Sequence, residues 1–316
     1  MPTTRGASPL AIWSALAAVY LIWGSTYLAI AIAVQTLPPL FSAGVRFSLA
    51  GLVLLGFIAV RRGLRVDRRQ LVAAASVGLL LIVGGNGFVV LAERTVPSGL
   101  TALIIASVPL WIVVFRRIAG DRIHPSTFGG VAVGFAGVIF LVIPRGSGGG
   151  IDLGGVALLL VATTSWAFGT FLAPRLRMPR DGLLSTGIQQ LTGGFVLVVL
   201  GAAMGEIAHL EPAAWSTNSL LAMAYLLVFG SLVAFTAYSW LLQHAPVSLV
   251  ATYAYVNPVV AVLLGALILA EPITPTIVIG AAIIVAAVAF IVSREGARQR
   301  TSRAAAAPRA AASEAD

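Results

Sequence analysis

The chain has 316 residues, of which 59% are hydrophobic and only 10% are charged, whereas an ordinary soluble domain carries about 25% charged residues. This composition excludes a soluble globular protein, which would expose too much apolar surface, and predicts an all-α polytopic membrane protein. The formal charge of +9 comes from 20 arginines without any lysine. Because these arginines occupy short loops and a tail instead of a folded basic face, we expect no nucleic-acid partner.

Apolar runs bounded by arginine, proline or glycine clusters predict ten transmembrane helices. The first run is too long for the apolar region of a signal peptide, so we expect an uncleaved span. The runs are continuous and lack the alternation of a membrane barrel, which favours helices over strands. The predicted helices are Leu10 to Ala33, Pro39 to Val60, Gln70 to Ala92, Pro97 to Phe115, Thr127 to Ile143, Leu153 to Ala173, Gly182 to Ala203, Leu220 to Leu242, Pro246 to Ala270 and Pro272 to Val292.

The arginines also predict the orientation of the chain. Seventeen of the 20 lie on the side of the N-terminus, and the others are Arg94, Arg145 and the membrane-embedded Arg46. Because cytoplasmic loops carry the excess of basic residues, we expect both termini in the cytoplasm and the protein in the inner membrane.

Two halves of the sequence echo each other. Segments 96–109 and 245–258 coincide in two prolines under a shift of 149 residues, and Trp23 falls on Trp166 under a shift of 143. Each half contains five predicted helices, an odd number, so the second half must enter from the opposite side of the membrane. The sequence therefore predicts two inverted five-helix repeats around a central cavity, with a binding site near the midplane.

This organisation divides the chain into five parts. A cytoplasmic N-terminus (1–9) precedes the first repeat (10–143), and a glycine-rich linker (144–152) precedes the second repeat (153–292). We interpret the linker as a flexible connection because it lacks the ending of a phosphate-binding loop. The tail (293–316), rich in alanine and arginine, is predicted to be disordered and cytoplasmic.

Aromatic and polar residues near the centres of the spans are candidates for substrate binding. Trp23 and Tyr27 lie four residues apart on one face of the first helix, and Trp166 and Thr170 repeat this spacing in the sixth. The depth of both tryptophans favours a cavity lining over an interfacial belt. Asn86 in the third helix is a further polar residue that needs a partner in lipid.

The ninth predicted helix adds a second group of candidates. Tyr253 and Asn257 are again four residues apart, and Pro258 leaves the carbonyl of Ala254 without its helical donor. Pro109 acts in the same way in the fourth helix. Interruptions at matching positions of two repeats indicate a transporter binding site, and the alternative is a packing kink satisfied by a neighbouring serine or water.

Charged residues inside the membrane are few. Arg46 is either a contact for an anionic group or an anchor that bonds helix-end carbonyls, and we favour the anchor because Gln189 takes its place in the second half. Glu93, near the end of the third helix, is interpreted first as an interface residue and second as a gate or proton site. Without a mid-span acid or histidine there is no general base for an intramembrane protease, so we expect no enzyme activity, cofactor or metal.

These residues resemble those of EamA-type transporters in the drug/metabolite transporter superfamily. The motifs that carry the resemblance are Trp-Gly-Ser-Thr at Trp23 to Thr26, Pro38 and Pro39 followed by Arg46 and Phe47, and two Pro-x11-Pro segments, the second followed by Glu271 and Pro272. The resemblance covers Leu10 to Val292. It implies a basket of ten helices around a central cavity and, in many members, export of amino acids or related metabolites.

We therefore expect a secondary transporter that exports small amphipathic metabolites, such as amino acids, by alternating access. Tryptophan faces offer cation–π contacts, and Asn257 with freed carbonyls suits an ammonium group. A passive channel or facilitator for small solutes is the alternative. The expected partners are a small-molecule substrate and membrane lipid, and the sequence is equally compatible with a monomer and a homodimer.

Overall fold

A computed structural model describes residues 8–143, 152–208, 210–245 and 247–313. Within these ranges the regular structure is entirely helical, and nine helices are long and apolar enough to cross a membrane. These nine are α1 (Pro9–Ala33), α2 (Pro39–Arg62), α3 (Arg68–Ala92), α4 (Ser98–Ile118), α5 (Pro125–Val142), α6 (Leu153–Leu172), α7 (Gly182–Ala203), α8 (Thr217–Leu241) and, after the shorter apolar helix α9 (Tyr253–Leu269), α10 (Pro275–Ser313). The prediction of an all-helical, multi-pass chain is confirmed.

Side chains that satisfy free backbone N–H groups set the starts of several helices. Asp67 and Gln70 form a reciprocal capping box at α3. Asp152 caps α6, Asp181 caps α7 and Ser216 caps α8 through their side-chain oxygens. Proline occupies the first turn of α1, α2, α5 and α10, where its missing N–H costs no hydrogen bond.

The last two helices differ from their predicted bounds. A short helix, Val247–Val250, precedes α9, so the predicted run from Pro246 to Ala270 is divided, and Pro246 itself lies outside the described residues. Helix α10 continues to Ser313 instead of ending at Val292 before a disordered tail. Alanine and arginine are both strong helix formers, which explains how the tail sequence extends the last span. The predicted linker lies almost wholly outside the described residues.

Two spans contain wide π-helical segments that sequence periodicity does not reveal. They are Leu79–Gly87 within α3 and Leu226–Val233 within α8. A wider turn disturbs the regular backbone hydrogen bonds, and side chains supply partners. The Ser165 hydroxyl donates to the Leu80 carbonyl at 2.8 Å, and the Asn86 amide donates to the Leu81 carbonyl at 3.4 Å.

Helices α2 and α7 cross so closely that their backbones are in contact, and glycines lie at the crossing. A methyl group added at Gly51 would lie 2.5 Å from the Leu191 nitrogen, and one added at Gly194 would lie 2.5 Å from the Ser48 nitrogen. Any larger residue would therefore separate the helices. Small residues promote this kind of close crossing in membranes because interhelical packing there depends on contact rather than on the hydrophobic effect.

Helices α5 and α10 form a second pair. A methyl group at Gly130 would lie 3.2 Å from the Ile291 side chain, and one at Gly280 would lie 2.3 Å from the Leu141 side chain. Large apolar side chains such as Leu21, Phe195 and Leu267 are exposed on the outside of the bundle. An apolar exterior of this kind suits contact with lipid rather than with water.

Candidate functional site

A cavity of about 350 Å³ lies in the middle of the helical bundle. Residues from α1, α2, α3, α4, α6, α8, α9 and α10 line it, together with the connection before α9. All the site residues predicted from the sequence are among them: Trp23, Tyr27, Arg46, Asn86, Pro109, Trp166, Thr170, Tyr253, Asn257 and Pro258. The structure thus brings these residues together, and their part in binding stays a prediction.

Trp23 lies in a group of aromatic rings on one side of the cavity. Its ring centroid is 5.1 Å from Phe235, 5.1 Å from Tyr238 and 5.2 Å from Tyr253. The indole N–H donates to the Gly230 carbonyl, in the π segment of α8, at 3.4 Å. These contacts fix the ring, so its exposed surface forms a rigid aromatic wall.

Trp166 occupies the corresponding position on the other side of the cavity. A methyl group at Gly85 would lie 2.7 Å from its ring, so the indole packs directly on the π segment of α3. The Thr170 hydroxyl donates to the Trp166 carbonyl at 2.9 Å. Its hydrogen is therefore used within α6, while its oxygen remains an acceptor for a ligand.

Helix interruptions occur beside the cavity in both repeats, but not at the prolines. Helix α4 breaks at Ala106 and Ser107, just before Pro109, while the second interruption lies at positions 251–252, six residues before Pro258. In each break a hydroxyl donates to the carbonyl three residues earlier, from Ser107 at 2.6 Å and from Thr252 at 2.5 Å. These local bonds compete with the helical pattern, which explains why the chain leaves the helix there.

Asn257 presents an unused acceptor at the cavity. It is buried, and its side-chain oxygen has no hydrogen-bond partner among the described residues. A buried amide oxygen without a donor costs free energy, which a ligand N–H group recovers. Asn86, by contrast, donates to the Leu81 carbonyl of its own helix.

Arg46 is a buried cation at the cavity wall. Its Nε donates to the Ser231 hydroxyl at 3.0 Å, and its guanidinium carbon lies 4.1 Å from the Phe47 ring centroid. Gln190 donates to the Ser231 carbonyl at 3.1 Å, whereas Gln189 donates to a hydroxyl of its own helix. Arg46 is thus anchored to the π segment of α8 rather than to helix-end carbonyls, and it also lines the cavity.

The burial of Glu93 was not predicted from the sequence. Only 6% of it is exposed, and neither carboxyl oxygen has a hydrogen-bond partner among the described residues. It follows the last turn of α3, four residues after the cavity-lining Val89. The sequence showed an acid at a span end but not that this acid is buried. In the described part of the chain, no group of three or more metal-ligating residues occurs.

A multi-pass helical protein with a central cavity lined by aromatic, amide and guanidinium groups has the architecture of a membrane transporter. Comparison with known proteins gives the family. The EamA-like transporter family matches residues 10–143 and 153–293, one repeat in each half. The chain belongs to this family.

Its relatives are transporters too. The uncharacterized inner membrane transporter YedA of Escherichia coli strain K12 is 42% identical over 259 residues, or 81% of this chain and 82% of that protein. A probable amino-acid metabolite efflux pump of Salmonella typhimurium is 24% identical over 275 residues, or 85% of this chain and 90% of that protein. A crystal structure at 22% identity, with a TM-score of 0.61, covers 92% of this chain and 99% of the other and supports the fold.

Proposed function

We propose that this protein is a secondary transporter that exports small amphipathic metabolites, such as amino acids, across the inner membrane by alternating access. The observation that carries the proposal is the cavity between the two repeats, where the aromatic and polar residues of both halves meet. Secondary transporters bind their substrates at the interface of such repeats and expose the site to each side in turn.

The glycine crossings support ten spans arranged as inverted repeats. A shift of 143 residues converts the contact of Gly51 with Leu191 into the contact of Gly194 with Ser48, and both distances are 2.5 Å. A shift of 150 residues similarly converts the contact of Gly130 with Ile291 into the contact of Gly280 with Leu141, both between α5 and α10. Equivalent helices that cross antiparallel with reciprocal contacts are what a two-fold axis in the membrane plane produces.

The cavity chemistry favours a zwitterion with an apolar side chain. Arg46 offers a cation for a carboxylate, the free oxygen of Asn257 accepts from an ammonium group, and the rings of Trp23 and Trp166 suit an apolar substituent. A cavity of about 350 Å³ is at the small end of ligand pockets. The Salmonella relative, a probable amino-acid metabolite efflux pump, supports the same substrate class.

Transport in proteoliposomes tests the proposal. Purified protein should move at least one compound from a panel of amino acids, sugars and drugs faster than empty liposomes do. Trp166→Ala should slow that movement because it removes a cavity wall. Trp13→Ala is the matched control, because Trp13 is 58% exposed and lies outside the cavity. No transport of any compound, together with no effect of Trp166→Ala, would exclude the proposal.

The proposed orientation can be tested with single cysteines, since the natural chain has none. Leu64→Cys lies between α2 and α3, and Ala213→Cys lies between α7 and α8; both positions are exposed. With the termini in the cytoplasm, a membrane-impermeant maleimide added to whole cells should label only Ala213→Cys. The reverse labelling would overturn the orientation.

Recordings in planar bilayers test the channel alternative. Unitary currents through the purified protein would favour a channel over a transporter.

A further inference from the structure

Three acidic side chains near the ends of the spans differ in whether they form structural hydrogen bonds. Glu271 accepts three hydrogen bonds, from the Ser98 N–H at 2.7 Å, the Ser98 hydroxyl at 2.8 Å and the Gly99 N–H at 3.0 Å, and so caps α4. Glu206 caps α2 through the N–H groups of Leu40 and Phe41. Glu93 caps nothing, which leaves its burial without a structural reason.

A buried carboxyl group without donors is more stable protonated than ionised. Glu93 also feels the charge of Glu271, which acts in the same direction, and that of Arg46, which acts in the opposite direction and favours the carboxylate. Arg94, the next residue in the chain, and Asp152, which caps α6, are exposed to solvent, which screens their charges. Of the charges named here, Arg46 is therefore the one that opposes protonation of Glu93.

Arg46 and Glu93 are linked to the cavity from two helices. Arg46 lines it from α2, and Val89 lines it one turn before Glu93 on the same face of α3. Tyr27, which lines the cavity from α1, is also within electrostatic reach of Glu93. A change of charge at the cavity wall is thus felt at Glu93 without direct contact between ligand and carboxyl group.

We propose that Glu93 is a proton-binding site coupled to anion binding at Arg46, so that a substrate carboxylate and a proton enter the protein together. This inference rests on the proposed transport function. An anion at Arg46 neutralises the charge that opposes protonation of Glu93, so the carboxyl group, already favoured as the acid by its burial, keeps its O–H proton up to a higher pH. By thermodynamic reciprocity, protonation of Glu93 strengthens anion binding by the same factor.

Infrared titration of the protein in lipid, from about pH 4 to pH 10, tests the coupling without any substrate. The natural protein should show a carboxylic acid band that is missing in Glu93→Gln. In Arg46→Gln, which imitates the neutralised arginine, this band should persist to a pH at least about one unit higher. Glu211→Gln, an exposed acid in the loop after α7, is the control and should leave the band of Glu93 unchanged.

Two results would overturn the proposal. The first is an identical carboxylic acid band in the natural protein and Glu93→Gln, and the second is the same midpoint in the natural protein and Arg46→Gln. Arg46→Gln is expected to fold, because Gln190 already bonds the same Ser231 residue, and a monodisperse elution profile checks this. These outcomes do not depend on whether any compound is transported.

Proteoliposomes filled with a pH-sensitive dye extend the test to transport. For an amino acid that the panel shows to move, the natural protein should carry protons with it, and Glu93→Gln should move the amino acid without protons and without pH dependence. Proton-free movement by the natural protein would overturn the coupling while leaving the transport function intact. If nothing in the panel moves, the proposed function fails, and the infrared titration alone decides the state of Glu93.

Discussion

The two sides of the cavity have the same position in the repeat but different surroundings. Trp23 is held among three aromatic rings and donates a hydrogen bond to Gly230. Trp166 rests on the bare backbone at Gly85. In both cases a tryptophan packs on the π segment of the helix facing it. The π segment is thus present on both sides, while the side chains around the two tryptophans differ, so the two sides of the cavity are chemically unlike.

The largest difference is expected when each tryptophan is truncated. Trp23→Ala should lower the free energy of unfolding by about 3 kcal/mol, because it removes a large ring and its aromatic pairs. Trp166→Ala should cost about 1 kcal/mol less, since its ring lacks the three aromatic partners of Trp23. Unfolding in mixed micelles measures both, with the exposed Trp13→Ala as control. Equal costs would show that the aromatic group adds no stability.

Alanine substitutions at the glycines next to the two rings should rank in the opposite order, with the larger loss of stability on the Trp166 side. A methyl group at Gly85 would lie 2.7 Å from the Trp166 ring, whereas one at Gly230 would lie 3.3 Å from the nearest atom, in Thr26. Gly85→Ala should therefore cost about 1–3 kcal/mol, the usual price of overpacking, and Gly230→Ala less. Thermal unfolding of the two variants side by side measures the difference. A more damaging Gly230→Ala would contradict the packing described for Trp166.

Substitution of the two prolines should affect the transport rate more than the stability of the protein. Pro258 lies inside α9 and Pro109 in the first turn after the break of α4, where its missing N–H costs little. Pro258→Ala should restore a backbone hydrogen bond, keep or raise stability, and slow transport several-fold by stiffening the helix beside Asn257. Pro109→Ala should change both the stability and the transport rate less than Pro258→Ala does. Initial transport rates and melting temperatures, measured together, check this. A fully active Pro258→Ala would remove the proline from the mechanism.

The smallest loss of stability is expected for Tyr20, which lies near Trp23 in α1. The Tyr20 hydroxyl contacts the Thr252 hydroxyl, which already donates to the Leu249 carbonyl. Tyr20→Phe should therefore lower the free energy of unfolding by less than about 1 kcal/mol, because no buried donor is left without an acceptor. The same unfolding assay measures it. Thr163→Val is the comparison in the other half, where the hydroxyl bonds only its own helix. A loss well above that of Thr163→Val would show that Tyr20 holds the break together.

The sequence predicted the spans and the cavity residues for one physical reason. Lipid tolerates apolar side chains and expels polar ones, so long apolar runs become helices and residues such as Asn257 and Arg46 turn inward. Part of what it did not predict depends on partners distant in sequence. The π segment of α3 is supported by Ser165 of α6, and Glu93 is buried although it lies at the end of a span. The short-range competition by Ser107 and Thr252 was missed because proline was the stronger signal.

The glycine crossing of α2 and α7 has a consequence for the biosynthesis of the protein. Gly44 and Gly51 meet their partners only after α3 to α6 have been synthesised and α7 has entered the membrane. Until then the notch in α2 faces lipid or a chaperone. The close crossing therefore forms only when the two halves meet, and a chain that ends before α7 lacks the partner against which Gly44 and Gly51 pack.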